Sequence, residues 1–199
     1  MSTFLELQTA VLDVTKRTDK LDEVKRQINS IIRMISLSGR WYPDIQELTL
    51  GALDGIDPAT YTQSVSLPSN FRFPVYIKYP VAYSTCPIKL VDIETLLHPD
   101  YRSADNIAYV SGNSLRIRNR TLTDSFDMGA YFRPAALVND ADSNWITEQL
   151  DDVIIELTSS FIKTITGDEN TGKTISQLAG AKLGAYLSDI VITHIPGVQ

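Results

Sequence analysis

The chain has 199 residues, with 18 Lys+Arg against 24 Asp+Glu for a net charge of −6, and it is 43% hydrophobic and 21% charged. At roughly 150 residues per domain this is one domain or two small ones, able to bury a core and too apolar to be disordered. The acidic total argues against whole-surface gripping of duplex nucleic acid, and the lone Cys86 with only His98 and His194 leaves no disulfide and no zinc cluster.

The first forty residues read as two amphipathic helices. Phe4, Leu7, Val11 and Val14 share one helical face. Thr18 or Asp19 offers a side-chain cap for a second helix, with Asp22 and Glu23 in its first turn. Its apolar face is Leu21, Val24, Ile28, Ile31 and Ile35, and Gly39 ends the run. So short a link predicts a hairpin whose apolar face needs a partner.

From Trp41 the period changes to two. Phe71, Phe73, Val75, Ile77 and Tyr79 alternate with Arg72, Tyr76 and Lys78, and Tyr61 to Leu67 alternates as well, with Pro68-Ser69-Asn70 as the turn between. Ile107–Val110 and Leu115–Arg118 flank Ser111-Gly112-Asn113-Ser114 as a hairpin. Asp92 caps a short helix with Ile93, Leu96 and Leu97, and a last strand covers Phe126 to Phe132. Helical spacing then returns. Ser143 or Asn144 caps a helix carrying Ile146, Leu150, Val153, Ile154, Leu157, Phe161 and Ile165. Ile175, Leu178, Ala179, Leu183, Tyr186, Leu187 and Ile190 mark the last helix. The expected class is α+β: a helix pair (1–40), an antiparallel β-domain (41–134), a second helix pair (135–189) completing one antiparallel bundle, and an extended tail (190–199). No stretch approaches 18 consecutive apolar residues, and the opening residues lack a secretory pattern, so a soluble protein without a membrane role is expected.

Gly167-Asp-Glu-Asn-Thr-Gly172-Lys173-Thr174 satisfies the phosphate-loop pattern G-x-x-x-x-G-K-[ST]. Three features oppose that reading. Helical spacing precedes the motif where a strand is required, Asp168 and Glu169 would set carboxylates beside phosphates, and only 25 residues follow Thr174. The competing reading is a solvated turn between helices, with Gly172 free for an unusual φ. Asp151-Asp152 and Asp140 with Asp142 suit a helix start. No nucleophile stands at fixed spacing from either His, so neither a catalytic residue nor a cofactor or metal site is assigned, and a non-enzyme is expected.

Arg116, Arg118 and Arg120 alternate, so a strand lines them on one face, either to meet phosphates or as a solvated face paired with acids. Gly180, Gly184 and Ser188 recur every four residues on the last helix. Each helical glycine costs about 1 kcal/mol against Ala, which implies a close backbone neighbour, either within the chain or from another subunit. Ile190, Val191, Ile192, His194 and Ile195 form an apolar, β-branched end before Pro196-Gly197, buried on the chain's own surface or docked on a partner, by strand addition or by filling an intersubunit groove.

Tyr131-Phe132-Arg133-Pro134-Ala-Ala-Leu137, followed by Asp142-Ser-Asn144-Trp145, resembles the head–tail adaptor (connector) proteins of tailed bacteriophages. Ile28-Asn29, Trp41-Tyr42, Leu67-Pro68-Ser69-Asn70-Phe71 and the acidic Asp168-Glu169 break agree with that pattern, so the resemblance runs over about residues 4 to 188. It implies a structural virion protein of the neck, made in the host cytoplasm: a homo-oligomeric ring, commonly of twelve, bound to the portal protein above and to a tail or nozzle protein below, with genomic DNA passing transiently through its channel. On this resemblance the apolar end from Ile190 is the portal-binding segment, Gly180, Gly184 and Ser188 lie at a subunit interface, and Arg116, Arg118 and Arg120 guide DNA. A small nucleic-acid-binding module using the arginine row, and a nucleotide-binding protein using residues 167–174, stay open beside it.

Overall fold

The computed structural model describes residues 2–51, 54–57, 62–78, 88–92, 94, 106–118 and 125–192, with the backbone course alone at 54–57 and 187–192. Cys86, Ile93, Leu96, Leu97, His98, Arg120, His194 and Ile195 fall outside these residues. The described chain is α+β, with five α-helices and two sheets. It divides into two compact units, Met1–Trp41 with Pro134–Gln199, and Tyr42–Arg133.

The helical unit begins with α1 (Phe4–Thr15), whose capping box joins Thr3 and Glu6 and whose buried face is Phe4, Leu7, Gln8, Val11 and Thr15. Val14, expected on that face, is half exposed, because it stands at its flank as the helix ends in left-handed Lys16. In α2 (Leu21–Ser38) Val24, Ile28, Ile31, Ile32 and Ile35 are buried, whereas Leu21 is exposed. Neither Thr18 nor Asp19 caps this helix. A 3₁₀ turn, Thr18–Lys20, leads into it, and the Asp19 carboxylate is instead gripped by Arg17 through bonds of 2.8 and 2.9 Å. That pairing holds the Asp19 carboxyl at about 2.

The helix expected from Asn144 to Ile165 is two, because the backbone at Leu150 (φ −131°, ψ 28°) leaves the helical region. Asn144 caps α3 (Trp145–Gln149) through Ile146 N and Thr147 N, and α4 (Asp151–Ile165) follows. Val153, Ile154 and Ile162 of α4 join the core formed by Leu7, Val24, Ile28 and Trp41, while Phe161 and Ile165 stay exposed. Then α5 (Glu169–Ile192) folds back on α4 after a turn at Gly167 (φ 93°). The sequence reading gave Gly172 the unusual φ. The positive φ belongs to Gly167, and Gly172 is helical and serves close approach instead. A Cβ at Gly172 would collide with Thr164 Oγ1 and come 3.0 Å from the Ser160 carbonyl oxygen. Ser160 Oγ donates to the Gly172 carbonyl at 2.7 Å, fastening the two helices where they are nearest.

In the second unit, β1 (Ile45–Gly51), β8 (Ser125–Phe132) and β4 (Phe71–Lys78) form one sheet in the order β1-β8-β4. The other contains β2 (Asp54–Asp57), β3 (Thr62–Ser66), β7 (Ser114–Arg118), β6 (Ile107–Ser111) and β5 (Lys89–Leu90), in the order β2-β3-β7-β6-β5. Pro68-Ser69-Asn70 forms the expected turn, with Phe71 N donating to the Pro68 carbonyl at 3.0 Å, and the runs it joins enter different sheets. The expectation of a wholly antiparallel unit needs correction, because β5 pairs with β6 in parallel. The β6–β7 hairpin turns through Gly112 (φ 61°) and Asn113, with a glycine at the position a type II′ turn requires.

The alternation of β4 does not survive folding. Register shifts between Phe71 and Phe73 and between Pro74 and Tyr76 mark two bulges. Phe71, Pro74 and Ile77 therefore stand opposite Phe132, Ala130 and Met128, the core side of β8, while Phe73, at 48% exposure, faces away with Tyr76. On that outer side the Tyr76 ring lies over Gly129, where a Cβ would strike it, and its hydroxyl donates to Glu47. Lys78 Nζ also donates to Glu47 at 2.9 and 3.0 Å, so Tyr76 and Lys78 hold the Glu47 carboxyl below its ordinary range.

The glycines of α5 yield a paired test by thermal unfolding. Gly172→Ala is expected to cost about 1–3 kcal/mol, because the added methyl overpacks the α4–α5 contact. Gly180→Ala is expected to be neutral or to gain up to about 1 kcal/mol from helix propensity, since nothing lies within 4 Å of its Cβ position. The reverse ranking would contradict this packing.

Candidate functional site

Residues 167–174 take a geometry foreign to a phosphate loop. The helix α4 precedes them where the loop needs a buried strand, and Glu169 to Thr174 are already helical. Asp168 opens α5: its carboxyl accepts bonds from the Thr171 hydroxyl and Thr171 N, which hold it below the usual carboxylate range, and Lys163 approaches at 3.7 Å. Lys173 is exposed, and Thr174 Oγ1 donates to the Asn170 carbonyl within the helix. This stretch is a capped helix start, with a carboxylate on the side where a phosphate would sit.

Of the arginine row, Arg116 and Arg118 lie on β7 and point away from buried Leu115 and Ile117; Arg116 is exposed and Arg118 partly buried. The register sets Ser64 and Tyr109 on either side of Arg116, and Thr62 and Ile107 beside Arg118. Asp54 and Asp57 of β2 stand opposite Ser64 and Thr62, one strand further out. Among the described residues nothing lies within 4 Å of the Cβ position of either Gly180 or Gly184, so no described neighbour packs closely against them. Ser188 continues the same helix in backbone course.

The apolar end departs from expectation. Ile190, Val191 and Ile192 are helical, the last turn of α5, and so do not begin an extended tail. Nothing in Leu187 to Ile192 breaks a helix, and β-branched residues lower helix propensity by only a fraction of a kcal/mol each, so α5 runs through these residues. Among the described residues no group of three or more His, Cys, Asp or Glu could hold a metal ion, and no helix is long and apolar enough to cross a membrane.

Some of the residues that carried the family resemblance lie in the helical unit, Asn29, Trp41, Leu137, Asp142, Asn144 and Trp145, whereas Tyr42, Leu67 to Phe71 and Tyr131 to Arg133 belong to the second unit and Asp168-Glu169 opens α5. Asn29 of α2 donates to the Leu137 carbonyl at 3.0 Å and accepts from Leu137 N at 2.8 Å. Trp41 donates Nε1 to the Ile35 carbonyl at 2.7 Å, and its ring lies 5.5 Å from Trp145 and 6.0 Å from Tyr186. The carboxylate of Asp142 accepts from Val138 N and Asn139 N at 2.7 and 2.8 Å, bonds that lower its pKa. Its carbonyl, with that of Asp140, receives Phe4 N and Leu5 N at 2.9 and 3.0 Å. Each residue closes a gap in main-chain hydrogen bonding or fills the core, and none is poised for chemistry.

The sequence reading passed over the outward faces of the first two helices. Glu6, Thr9 and Asp13 line the exposed side of α1, with Leu5 half exposed at its edge. Arg26, Ser30, Arg33 and Leu37 line that of α2, with Met34 alongside. A shallow groove of about 440 Å³ is bounded by Ser30, Arg33, Met34, Leu37 and Ser38. The signal was present in the charges, since no Asp or Glu occurs from Val24 to Pro43, whereas Lys25, Arg26, Arg33 and Arg40 do.

No protein-family model matches the chain, and no curated protein matches it.

Replacing Asn29 by Ala removes both partners of Leu137 in a part-buried site. The expected cost is about 1–3 kcal/mol of unfolding free energy, measured by denaturant titration. An unchanged midpoint would show that water replaces the amide without loss.

Proposed function

We propose that this chain is a head–tail adaptor of a tailed bacteriophage, a structural neck protein that forms a ring beneath the portal and continues the DNA channel toward the tail. In this reading the N- and C-terminal helix pairs make one antiparallel bundle into which the β-domain is inserted. The observation that carries it is the junction just described. Asn29 bonds to Leu137, the Asp142 carboxylate receives Val138 N and Asn139 N, Asn144 caps the next helix and Trp41 meets Trp145, so these residues of the resemblance serve architecture. A ring subunit needs such a scaffold and no chemistry.

The remaining assignments follow from that role. Gly180, Gly184 and Ser188 offer a face without bulky side chains to a neighbouring subunit, where their helix-propensity cost is offset by close packing. The segment Ile190, Val191, Ile192, His194 and Ile195 binds the portal. Because its first three residues are helical, the contact at those positions is a helix against a groove, not an added strand. Arg116, Arg118 and Arg120 act as weak guides for DNA, with the aspartates of β2 limiting retention. A second reading, a small nucleic-acid-binding module, rests on exposed Arg116 flanked by Ser64 and Tyr109, and strong, salt-dependent retention of DNA by the free protein would favour it.

Negative-stain imaging of the purified chain mixed with a candidate portal ring tests the proposal. A collar of density added to one end of the portal, with rotational symmetry matching it, is the expected result. Portals that remain bare at protein concentrations well above micromolar would overturn the reading.

A further inference from the structure

The outward faces of α1 and α2 are opposite in charge and alike in layout. From Met1 to Thr15 the chain has no Lys or Arg, and α1 presents Glu6 and Asp13, seven residues apart, with Thr9 between them and Leu5 beside Glu6. The exposed side of α2 presents Arg26 and Arg33, also seven residues apart, with Ser30 between them and Met34 beside Arg33, and Asp22 lies one turn before Arg26 in the first turn of the helix, beyond the matched stretch. On both helices that spacing is about 10 Å along the axis. Laid antiparallel, the two faces match position by position: Leu5 meets Met34, Glu6 meets Arg33, Thr9 meets Ser30 and Asp13 meets Arg26. Leu5 is 50% exposed, and Met34 and Leu37 are each 49% exposed. Asp13 and Arg33 form no ion pair among the described residues.

We propose that α1 of one copy docks antiparallel against the α2 groove of a second copy, as the head-to-tail contact that links neighbouring subunits. This contact rests on the ring reading and names the surfaces that build it. Charge complementarity selects a second copy as the occupant, since the chain itself carries both halves of the match. Each face alone repels its own kind, so α1 does not pair with α1, nor α2 with α2. Two different patches on one subunit meet as donor and acceptor, the arrangement that propagates and closes into a ring. The apolar pair at Leu5 and Met34 loses its water in the contact, while the ion pairs fix direction and register.

Sedimentation velocity of the full chain tests the contact. At about 0.05 M salt the wild-type chain should form species larger than a dimer, and at about 0.5 M association should weaken at least about tenfold. Glu6→Lys with Asp13→Lys should be monomeric, and so should Arg26→Glu with Arg33→Glu, while an equimolar mixture of the two reversed chains should re-associate. Because Glu6 also closes the capping box with Thr3, Thr9→Lys with Asp13→Lys provides a variant that leaves the cap intact, and it too should be monomeric with a wild-type melting curve. Wild-type protein that stays monomeric at low salt, that stops at a dimer, or whose association ignores both salt and charge reversal would overturn the contact. Failure here is separable from failure of the ring. Collars on the portal filled equally well by the reversed chains would remove this contact and leave the ring, whereas bare portals remove the ring reading itself.

Discussion

The helical unit depends on one junction: the irregular stretch from Pro134 to Asn144, exposed over most of its length, is fastened at buried Leu137 and along its main chain by hydrogen bonds. A buried amide or carbonyl left without a partner costs about as much as a lost hydrogen bond. Asn29 answers for both groups of Leu137, and the Asp142 carboxylate answers for Val138 and Asn139. The same stretch repays α1, whose first two N–H groups are received by the carbonyls of Asp142 and Asp140. Residues more than a hundred positions apart are thereby locked together, and the core of Leu7, Ile28, Trp41, Ile146 and Ile154 closes around them.

Helical periodicity was legible because each inward face packs against several neighbours. Val24, Ile28, Ile31 and Ile35 are buried as their spacing demands, and Asn144, one of the two residues expected to start the next helix, caps α3. Where a helix has one neighbour the pattern weakens, and Leu178 on α5, packed chiefly against α4, is 54% exposed. The strands were harder. The bulges of β4 reverse the facing of Phe73 relative to Phe71, and no local signal separates a bulge from plain alternation. Strand β1 reads Ile-Gln-Glu-Leu-Thr-Leu-Gly, too polar to declare itself, and is held by its register against β8.

The candidate surfaces were legible in composition and not in cause. Three glycines of the α4–α5 region look alike in sequence but do different work. Gly167 supplies a positive φ, Gly172 supplies space between helices, and Gly180 faces open surroundings. Only the third meets nothing within 4 Å among the described residues. The charges of α1 and α2 were likewise visible as runs. Their matched seven-residue spacing gains meaning only once both are placed on exposed helix faces.

Native-state hydrogen exchange at individual amides tests the central claim, that main-chain bonds at the Leu137 junction unite the N-terminal helices with the C-terminal segment. The account predicts that Phe4, Leu5 and Leu137 amides exchange at the same opening free energy as Ile154 and Ile162 in the core of α4. Rapid exchange at Phe4, Leu5 and Leu137 while α4 remains protected would contradict it.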